Sequence, residues 1–175
     1  MTLTSVFVAV MAVFSFSSTL TGKLSALMLF LIAFALDAAD GAVARAKNKV
    51  SDQGAFIDGI ADRIVEFCLL ITILMMFPLN TEMQLVIFSI LFFGTCMTAF
   101  VKAYAEHRGV MKHEQAAKLP GLLERAERSV LLLAAFVLLI AGYGLYGIYV
   151  LYLVAGLSLI TFLQRFFTVL YGKKE

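Results

Sequence analysis

Four aspartates, close together in the sequence and next to apolar segments, are the residues most able to do chemistry. Asp37 and Asp40 follow one apolar run, and Asp58 and Asp62 precede another. A carboxylate at membrane depth is costly, and it persists there when it pairs with cations or lines a polar cavity. Carboxylate oxygens are the ligands that suit Mg²⁺, Mn²⁺ or Ca²⁺. The four aspartates therefore predict a metal site at a membrane surface.

The spacing of these aspartates places them on two helical faces. A helix turns by about 100° per residue, so Asp37 and Asp40 share one face, and Asp58 and Asp62 share another. The intervening loop is short, which makes the two helices antiparallel neighbours whose acidic faces can lie opposite each other. Such a set can hold two divalent cations about 4 Å apart, an arrangement used for displacement at phosphorus. Asp62, the outermost carboxylate, could serve as a general base.

Small residues and one arginine lie among the aspartates. Gly41 and Ala44 fall on the first acidic face and Gly54 on the second, where they leave room for a flat group near the backbone. Arg45 adds a cation that suits a phosphate oxygen. The alternative is a set of helix-end carboxylates that reach water or pair with basic neighbours. Four aspartates with three small residues on the same faces favour the metal site over that alternative.

The composition is that of an integral membrane protein. Of its 175 residues, 62% are hydrophobic and 15% are charged, whereas a soluble domain is about half apolar and about a quarter charged. Each of the two cysteines lies inside an apolar run, so a zinc site or a disulfide framework is not expected. The net charge of +2 is small, and we expect no nucleic-acid partner.

Six apolar segments predict six transmembrane helices, each near the length that crosses the hydrocarbon core. A polar turn is predicted over 19–23, and a glycine-rich break is predicted over 142–147. The predicted spans are 3–18, 24 to the aspartates, 55–78, 83–103, and two more within 129–172.

The basic residues set the predicted orientation. With six spans, all of the 14 Lys and Arg residues except Lys23 fall on one side. The positive-inside rule places that side in the cytoplasm. We therefore predict an all-α integral membrane protein of the cell membrane, with both termini and the aspartates on the cytoplasmic face.

The aspartates and their small neighbours form the pattern Asp-x2-Asp-Gly-x2-Ala-Arg-x8-Gly-x3-Asp-x3-Asp. This pattern resembles the signature of the CDP-alcohol phosphotransferase family, and the six-span prediction is similar to that family's architecture. The resemblance covers residues 1–175 as a single membrane domain. It implies transfer of a phosphoalcohol group from a CDP-alcohol lipid to a hydroxyl acceptor with release of CMP, by a protein that is typically a homodimer.

The same resemblance implies a role for each position of the pattern. Asp37, Asp40, Asp58 and Asp62 would bind two Mg²⁺ or Mn²⁺ ions, and Asp62 would also deprotonate the acceptor. The residues that would bind the CDP-alcohol are Asp37, Gly41, Ala44, Arg45, Gly54 and Asp58.

Cations at predicted helix ends bear on the acceptor. Lys102 and Arg125 flank a polar loop, and Arg165 interrupts an otherwise uncharged run. Several converging cations would hold a phosphate, so we expect a phosphorylated polyol as acceptor. The surrounding segments resemble the family branch that uses inositol 1-phosphate, in which these three cations would bind the acceptor phosphate. The chain departs from that branch at Ala99, usually Ser, and at Tyr104, usually Arg.

A further departure is the start of the chain. The family usually has an amphipathic juxtamembrane helix before the first span, whereas here Met1 is almost inside that span. We therefore expect this helix to be absent, in a chain that is trimmed, naturally short, or the membrane half of a fused enzyme.

Other functions stay open on the sequence alone. The same chemistry could use glycerol 3-phosphate as acceptor or CDP-inositol as donor. A cation transporter would use the carboxylates as an ion path, although such a path predicts acids at many depths and here they cluster at one face. An inert membrane scaffold is the remaining alternative.

Overall fold

The computed structural model describes residues 2–46 and 51–172, and every regular element in these ranges is a helix. The chain divides into two compact units. The first unit comprises Met1–Pro78 and Phe136–Tyr143, and the second comprises Leu79–Ala135 and Gly144–Glu175.

The first unit is built mainly from α1 (Thr2–Ser15), α2 (Leu20–Ala46) and α3 (Asp52–Leu74). Helix α1 packs against both α2 and α3. Its buried face carries Ala9 and Ala12, which are fully buried. Small side chains let helix backbones approach closely, which is how helices associate inside a membrane.

Side-chain caps fix where α2 and α3 begin. The amide of Gly22 donates to Thr19 Oγ1 at 3.2 Å, and the amide of Gly54 donates to Ser51 Oγ at 3.1 Å. Such bonds satisfy amides that have no partner in the first turn of a helix. The predicted polar turn over 19–23 is therefore wrong from Leu20 onward, because its polar residues cap and begin α2 instead.

The second unit contains one long helix in three parts: α4 (Thr81–Ser89), a π-helical segment (Ile90–Met97) and α5 (Thr98–His107). The short helix α6 (His113–Ala117) and α7 (Arg125–Ile140) follow, although the last residues of α7 belong to the first unit. Helix α8 (Gly144–Tyr171) packs against all three parts of the long helix.

The break between α7 and α8 is where the glycines predict it. Helix α7 ends at Ile140 and α8 begins at Gly144. Between them Gly142 has φ +87°, a left-handed conformation that side chains disfavour. The break predicted over 142–147 is therefore confirmed at 142–143 and is wrong from Gly144 onward, because Gly144 already begins α8.

Three helical segments in the described ranges are long and apolar enough to cross a membrane: Leu20–Ala39, Thr81–His107 and Gly144–Tyr171. Helix α1 is also apolar but shorter. These helices support an all-helical membrane protein. The number of six spans, which exceeds these three segments, stays a prediction, and so does the cytoplasmic position of the termini.

Candidate active site

Three of the predicted aspartates meet in the first unit. Asp37 lies near the end of α2, and Asp58 and Asp62 lie in the first turns of α3. One carboxylate oxygen of each residue lies within 4.8 Å of the corresponding oxygens of the other two. Asp37 therefore lies opposite Asp58 and Asp62, whose four-residue spacing places them on one face of α3.

The donor set of this cluster fits a divalent cation. All three side chains offer carboxylate oxygens, which are hard ligands that suit Mg²⁺, Mn²⁺ or Ca²⁺. Negative charges this close repel one another, so a cation between them would lower the electrostatic energy. Asp37 and Asp58 are half-buried and Asp62 is 7% exposed. Asp62 is therefore the most buried of the three, and not the outermost carboxylate that the sequence predicts.

Asp62 has one described cationic neighbour. Arg63 Nη1 lies 3.8 Å from Asp62 Oδ2, and the same nitrogen donates to the carbonyl oxygen of Gly59 at 2.7 Å. The Arg63 side chain is 46% exposed. An exposed pair at this distance contributes little, so Arg63 offsets only part of the negative charge beside Asp62.

Glu66 is a buried acid that the residue types alone do not single out. It lies one turn after Asp62 on α3 and is only 1% exposed. A fully buried carboxyl is uncommon and marks a polar environment around it. Its four-residue spacing from Asp62 predicts either a partner of the acidic cluster or a surface residue, and the burial of Glu66 excludes the surface role.

The other residues of the donor pattern are placed less completely. Gly54 lies in the first turn of α3, where an added Cβ would lie 3.0 Å from Ser51 Oγ. A glycine there lets the cap of α3 close. Four predicted residues belong to the end of α2, but their side chains lie outside the described part of the chain: Asp40, Gly41, Ala44 and Arg45.

The three predicted acceptor cations all lie in the second unit and flank loop 118–124. Lys102 Nζ donates to the carbonyl oxygen of Ala117, just before the loop, at 3.4 Å. Arg165 Nε donates to the carbonyl oxygen of Pro120, within the loop, at 3.1 Å. Arg125 is the first residue of α7 and directly follows the loop. The cations predicted from separate sequence segments are thus gathered around one loop.

Arg165 makes structural contacts that the sequence does not reveal. The side chain is 7% exposed, and its Nη1 donates to the carbonyl oxygen of Thr98 at 3.0 Å. Its Nη2 lies 3.8 Å from the exposed carboxylate of Glu124. The guanidinium therefore joins α8 to the first residue of α5 and to loop 118–124.

Two further side chains of α8 hold the same loop. Thr161 Oγ1 accepts the amide of Leu123 at 2.9 Å, and Gln164 Oε1 accepts the amide of Leu122 at 3.1 Å. Because loop amides need partners when they leave water, these bonds fix the path of the loop. Polar residues at 161, 164 and 165 within an apolar helix are the sequence signal for this anchor.

Apolar helices that carry three clustered carboxylates define a helical membrane protein with a candidate divalent-cation site. Comparison with known proteins makes the class specific. The sequence profile of the CDP-alcohol phosphatidyltransferase family matches residues 1–166. The chain belongs to this family.

Relatives include the archaetidylinositol phosphate synthase of Pyrococcus horikoshii, which is 30% identical over 151 residues, covering 86% of this chain and 72% of the relative. The archaetidylinositol phosphate synthase of Aeropyrum pernix is 32% identical over 121 residues, covering 69% and 56%. The bifunctional IPC transferase and DIPP synthase of Archaeoglobus fulgidus is 34% identical over 73 residues, covering 42% of this chain and 14% of the relative.

Family membership confirms the enzyme class predicted from the aspartate pattern. The protein is a CDP-alcohol phosphotransferase of phospholipid biosynthesis. Members use a CDP-alcohol donor and an alcohol acceptor and generally depend on divalent metal ions. The cluster of Asp37, Asp58 and Asp62 is the candidate for such ions in the described part of the chain.

Proposed function

We propose that this enzyme transfers the phosphoalcohol group of a CDP-lipid, of the CDP-diacylglycerol or CDP-archaeol type, to inositol 1-phosphate and releases CMP. The observation that carries the proposal is the cluster of three carboxylates within 4.8 Å in a chain of this family. The acceptor rests on the relatives named archaetidylinositol phosphate synthase and on the three cations around loop 118–124.

The donor would bind at the acidic cluster. Divalent cations, Mg²⁺ or Mn²⁺ and two in number, would neutralise charge on the donor diphosphate when bound. Asp37, Asp58 and Asp62 would hold them, together with Asp40. Gly41, Ala44, Arg45 and Gly54 would contact the cytidine diphosphate, since small residues allow close approach and an arginine suits a phosphate oxygen.

The reaction would be a direct displacement at the β-phosphorus of the donor. Asp62 would accept the proton of the acceptor hydroxyl, whose oxygen forms the new phosphoester bond as the bond to the CMP oxygen breaks. Asp62 suits this role because it is the most buried member of the cluster, and burial excludes competing water.

The acceptor phosphate would bind to Lys102, Arg125 and Arg165. A phosphate carries several acceptor oxygens, and charge-assisted bonds from arginine are among the strongest available. Arg165 would combine two tasks, because its Nε and Nη1 hold carbonyl oxygens while Nη2 lies 3.8 Å from the exposed carboxylate of Glu124. A phosphate would compete with Glu124 for that nitrogen.

The remaining parts of the proposal concern the whole chain. Residues 1–175 would form a single membrane domain of six transmembrane helices in the cell membrane, with both termini and the acidic cluster facing the cytoplasm. The distribution of basic residues supports this orientation. The enzyme would act as a homodimer, as the family resemblance implies.

Two related reactions are the main alternatives. Glycerol 3-phosphate would present the same phosphate to the same cations, and CDP-inositol could replace the CDP-lipid as donor. Ala99 and Tyr104 keep these open, because the inositol 1-phosphate branch usually has Ser and Arg at those positions. Membership in a transferase family argues against a cation transporter or an inert scaffold.

CMP release tests the proposal directly. Purified enzyme would be incubated with a CDP-lipid and, in separate reactions, inositol 1-phosphate, glycerol 3-phosphate or inositol, with and without a chelator. We expect CMP with inositol 1-phosphate and none with chelator present. If CMP is released with glycerol 3-phosphate and not with inositol 1-phosphate, the acceptor is glycerol 3-phosphate. If CMP release persists with chelator, the reaction does not depend on the proposed metal site.

A further inference from the structure

A large groove lies in the second unit between the ends of α5 and α8. Its volume is ≈ 930 Å³, which is within the range of about 300–1,000 Å³ that ligand sites occupy. One wall is apolar and aromatic, and its main residues are Phe100, Val101, Phe162, Phe166 and Val169. None of the residues assigned above to the donor or the acceptor lines this groove.

A tight turn at the end of α5 closes the rim of the groove. The amide of Gly109 donates to Glu106 O and the amide of Val110 to Ala105 O, both at 2.9 Å. Gly109 has φ +66°. These bonds and this conformation define a Schellman cap, which ends a helix with a left-handed glycine. The rim is therefore held by the backbone and does not depend on a ligand for its shape.

The rim carries positive charge over an aromatic wall. Arg108 and Lys112 line the groove, and no carboxylate is among its lining residues. The Arg108 guanidinium carbon lies 6.0 Å from the centre of the Tyr104 ring. Tyr104 in turn stacks on Phe100 at 5.0 Å between ring centres. The groove thus grades from an apolar wall to a cationic rim.

This gradient matches the depth profile of a lipid. The groove follows the ends of two segments long enough to span a membrane, Thr81–His107 and Gly144–Tyr171. A helix rises 1.5 Å per residue, so Phe100 and Arg108 are separated by about 12 Å along α5. The hydrocarbon core of a bilayer is about 30 Å thick, so each leaflet contributes about 15 Å of it. A ligand that extends from Phe100 to Arg108 could therefore have its acyl chain in the core and its head group at the surface.

We propose that the groove binds one anionic phospholipid, with an acyl chain along the aromatic wall and the phosphate between Arg108 and Lys112. The nearest acid on α5, Glu106, is not among the lining residues, and its carboxylate lies 3.0 Å from His113 Nδ1 on α6. The bound lipid is distinct from the reacting substrates, and the inference stands whichever acceptor the enzyme uses.

Native mass spectrometry of the purified full chain tests the lipid site. The probes are phosphatidylglycerol, which is anionic, and phosphatidylcholine, which is zwitterionic, at equal concentration. We expect the wild-type protein to retain phosphatidylglycerol about tenfold better, the size expected of one charge-assisted hydrogen bond. The double variant R108Q/K112Q should lose this preference. The charge-matched control K23Q/K118Q should keep it, because neither lysine lines the groove.

A variant that fills the apolar wall gives an independent readout. Val169→Trp should reduce retention of both lipids, while the melting temperature reports whether the variant is folded. Equal retention of the two lipids by the wild type, or full phosphatidylglycerol preference in R108Q/K112Q, would overturn the proposal. A dimer mass that is lost in Val169→Trp would also overturn it, since a second copy of the chain would then occupy the groove.

Discussion

At the scale of single residues, the clustered carboxylates differ in their access to water. Asp37 and Asp58 are half-buried, whereas Asp62 is 7% exposed and precedes the fully buried Glu66 by one turn. A buried carboxylate has few waters, so protein groups and substrate set its hydrogen bonds. This difference separates a residue that could act as a base from residues that would serve mainly as ligands.

Asp62→Asn is expected to remove the proposed base while keeping the size of the side chain. General-base catalysis typically contributes about 10²–10⁴-fold to rate. We expect the rate of CMP release to fall by at least about 10²-fold. Binding of the CDP-lipid, measured by calorimetry, should be largely retained. Glu114→Gln, which removes an exposed acid on α6, is the matched control and should keep full activity. Near-normal turnover in Asp62→Asn would rule out the base assignment.

Metal binding at the cluster should also appear as a change in stability. A ligand that binds only the folded state stabilises it by about 2.7 kcal/mol at one hundred times its Kd. We expect Mn²⁺ to raise the Tm of the wild-type protein by several degrees, and a chelator to reverse the increase. Asp58→Asn should remove most of the shift. An equal shift in Asp58→Asn would place the ions elsewhere.

At the scale of elements, three neighbouring side chains of α8 organise the loop that the proposed acceptor cations flank. Thr161, Gln164 and Arg165 each bond to the backbone of loop 118–124. Gly121 lies against this anchor: an added Cβ would lie 2.9 Å from Arg165 Nη2 and 3.1 Å from Thr161 Cγ2. A side chain at position 121 would therefore press against both Arg165 and Thr161.

Gly121→Ala is expected to displace the Arg165 guanidinium, because a contact of 2.9 Å forces one of the two groups to move. If Arg165 binds the acceptor phosphate, KM for the acceptor should rise severalfold more than KM for the CDP-lipid. Gly156→Ala on α8 is the matched control, because an added Cβ there meets nothing within 4 Å. That control should be neutral or stabilising by up to about 1 kcal/mol. If Gly121→Ala lowers Tm and activity but raises both KM values equally, Arg165 has a packing role and does not bind the acceptor phosphate.

The sequence predicts those features that depend on local spacing. The shared face of Asp58 and Asp62 follows from their separation of four residues, and the break at Gly142 follows from a glycine conformation. Loop 118–124 could not be predicted in this way, because its path depends on bonds between residues about 40 positions apart, such as Leu123 and Thr161. The π-helical segment Ile90–Met97 is likewise hidden, since its apolar residues fit an ordinary helix equally well.

At the scale of the whole molecule, the distribution of charge carries the prediction of orientation. All Lys and Arg residues except Lys23 fall on one side of the six-span arrangement. Loops rich in these residues remain on the cytoplasmic side during insertion. The orientation matters for the proposed reaction, because it determines on which side of the membrane the acidic cluster would meet its substrates and release CMP.

Cysteine labelling can test this orientation with two exposed positions. Leu79 is 97% exposed between α3 and α4, and Glu114 is exposed on α6. After Cys68 and Cys96 are replaced by alanine, Leu79→Cys in intact cells should react with a membrane-impermeant maleimide. Glu114→Cys should react only after the membrane is permeabilised. The opposite labelling pattern would show that the orientation is the reverse of the predicted one, with the aspartates outside the cell. The six-span arrangement places one span between these two positions, so they must lie on opposite sides of the membrane. Labelling of both positions from outside would therefore contradict it.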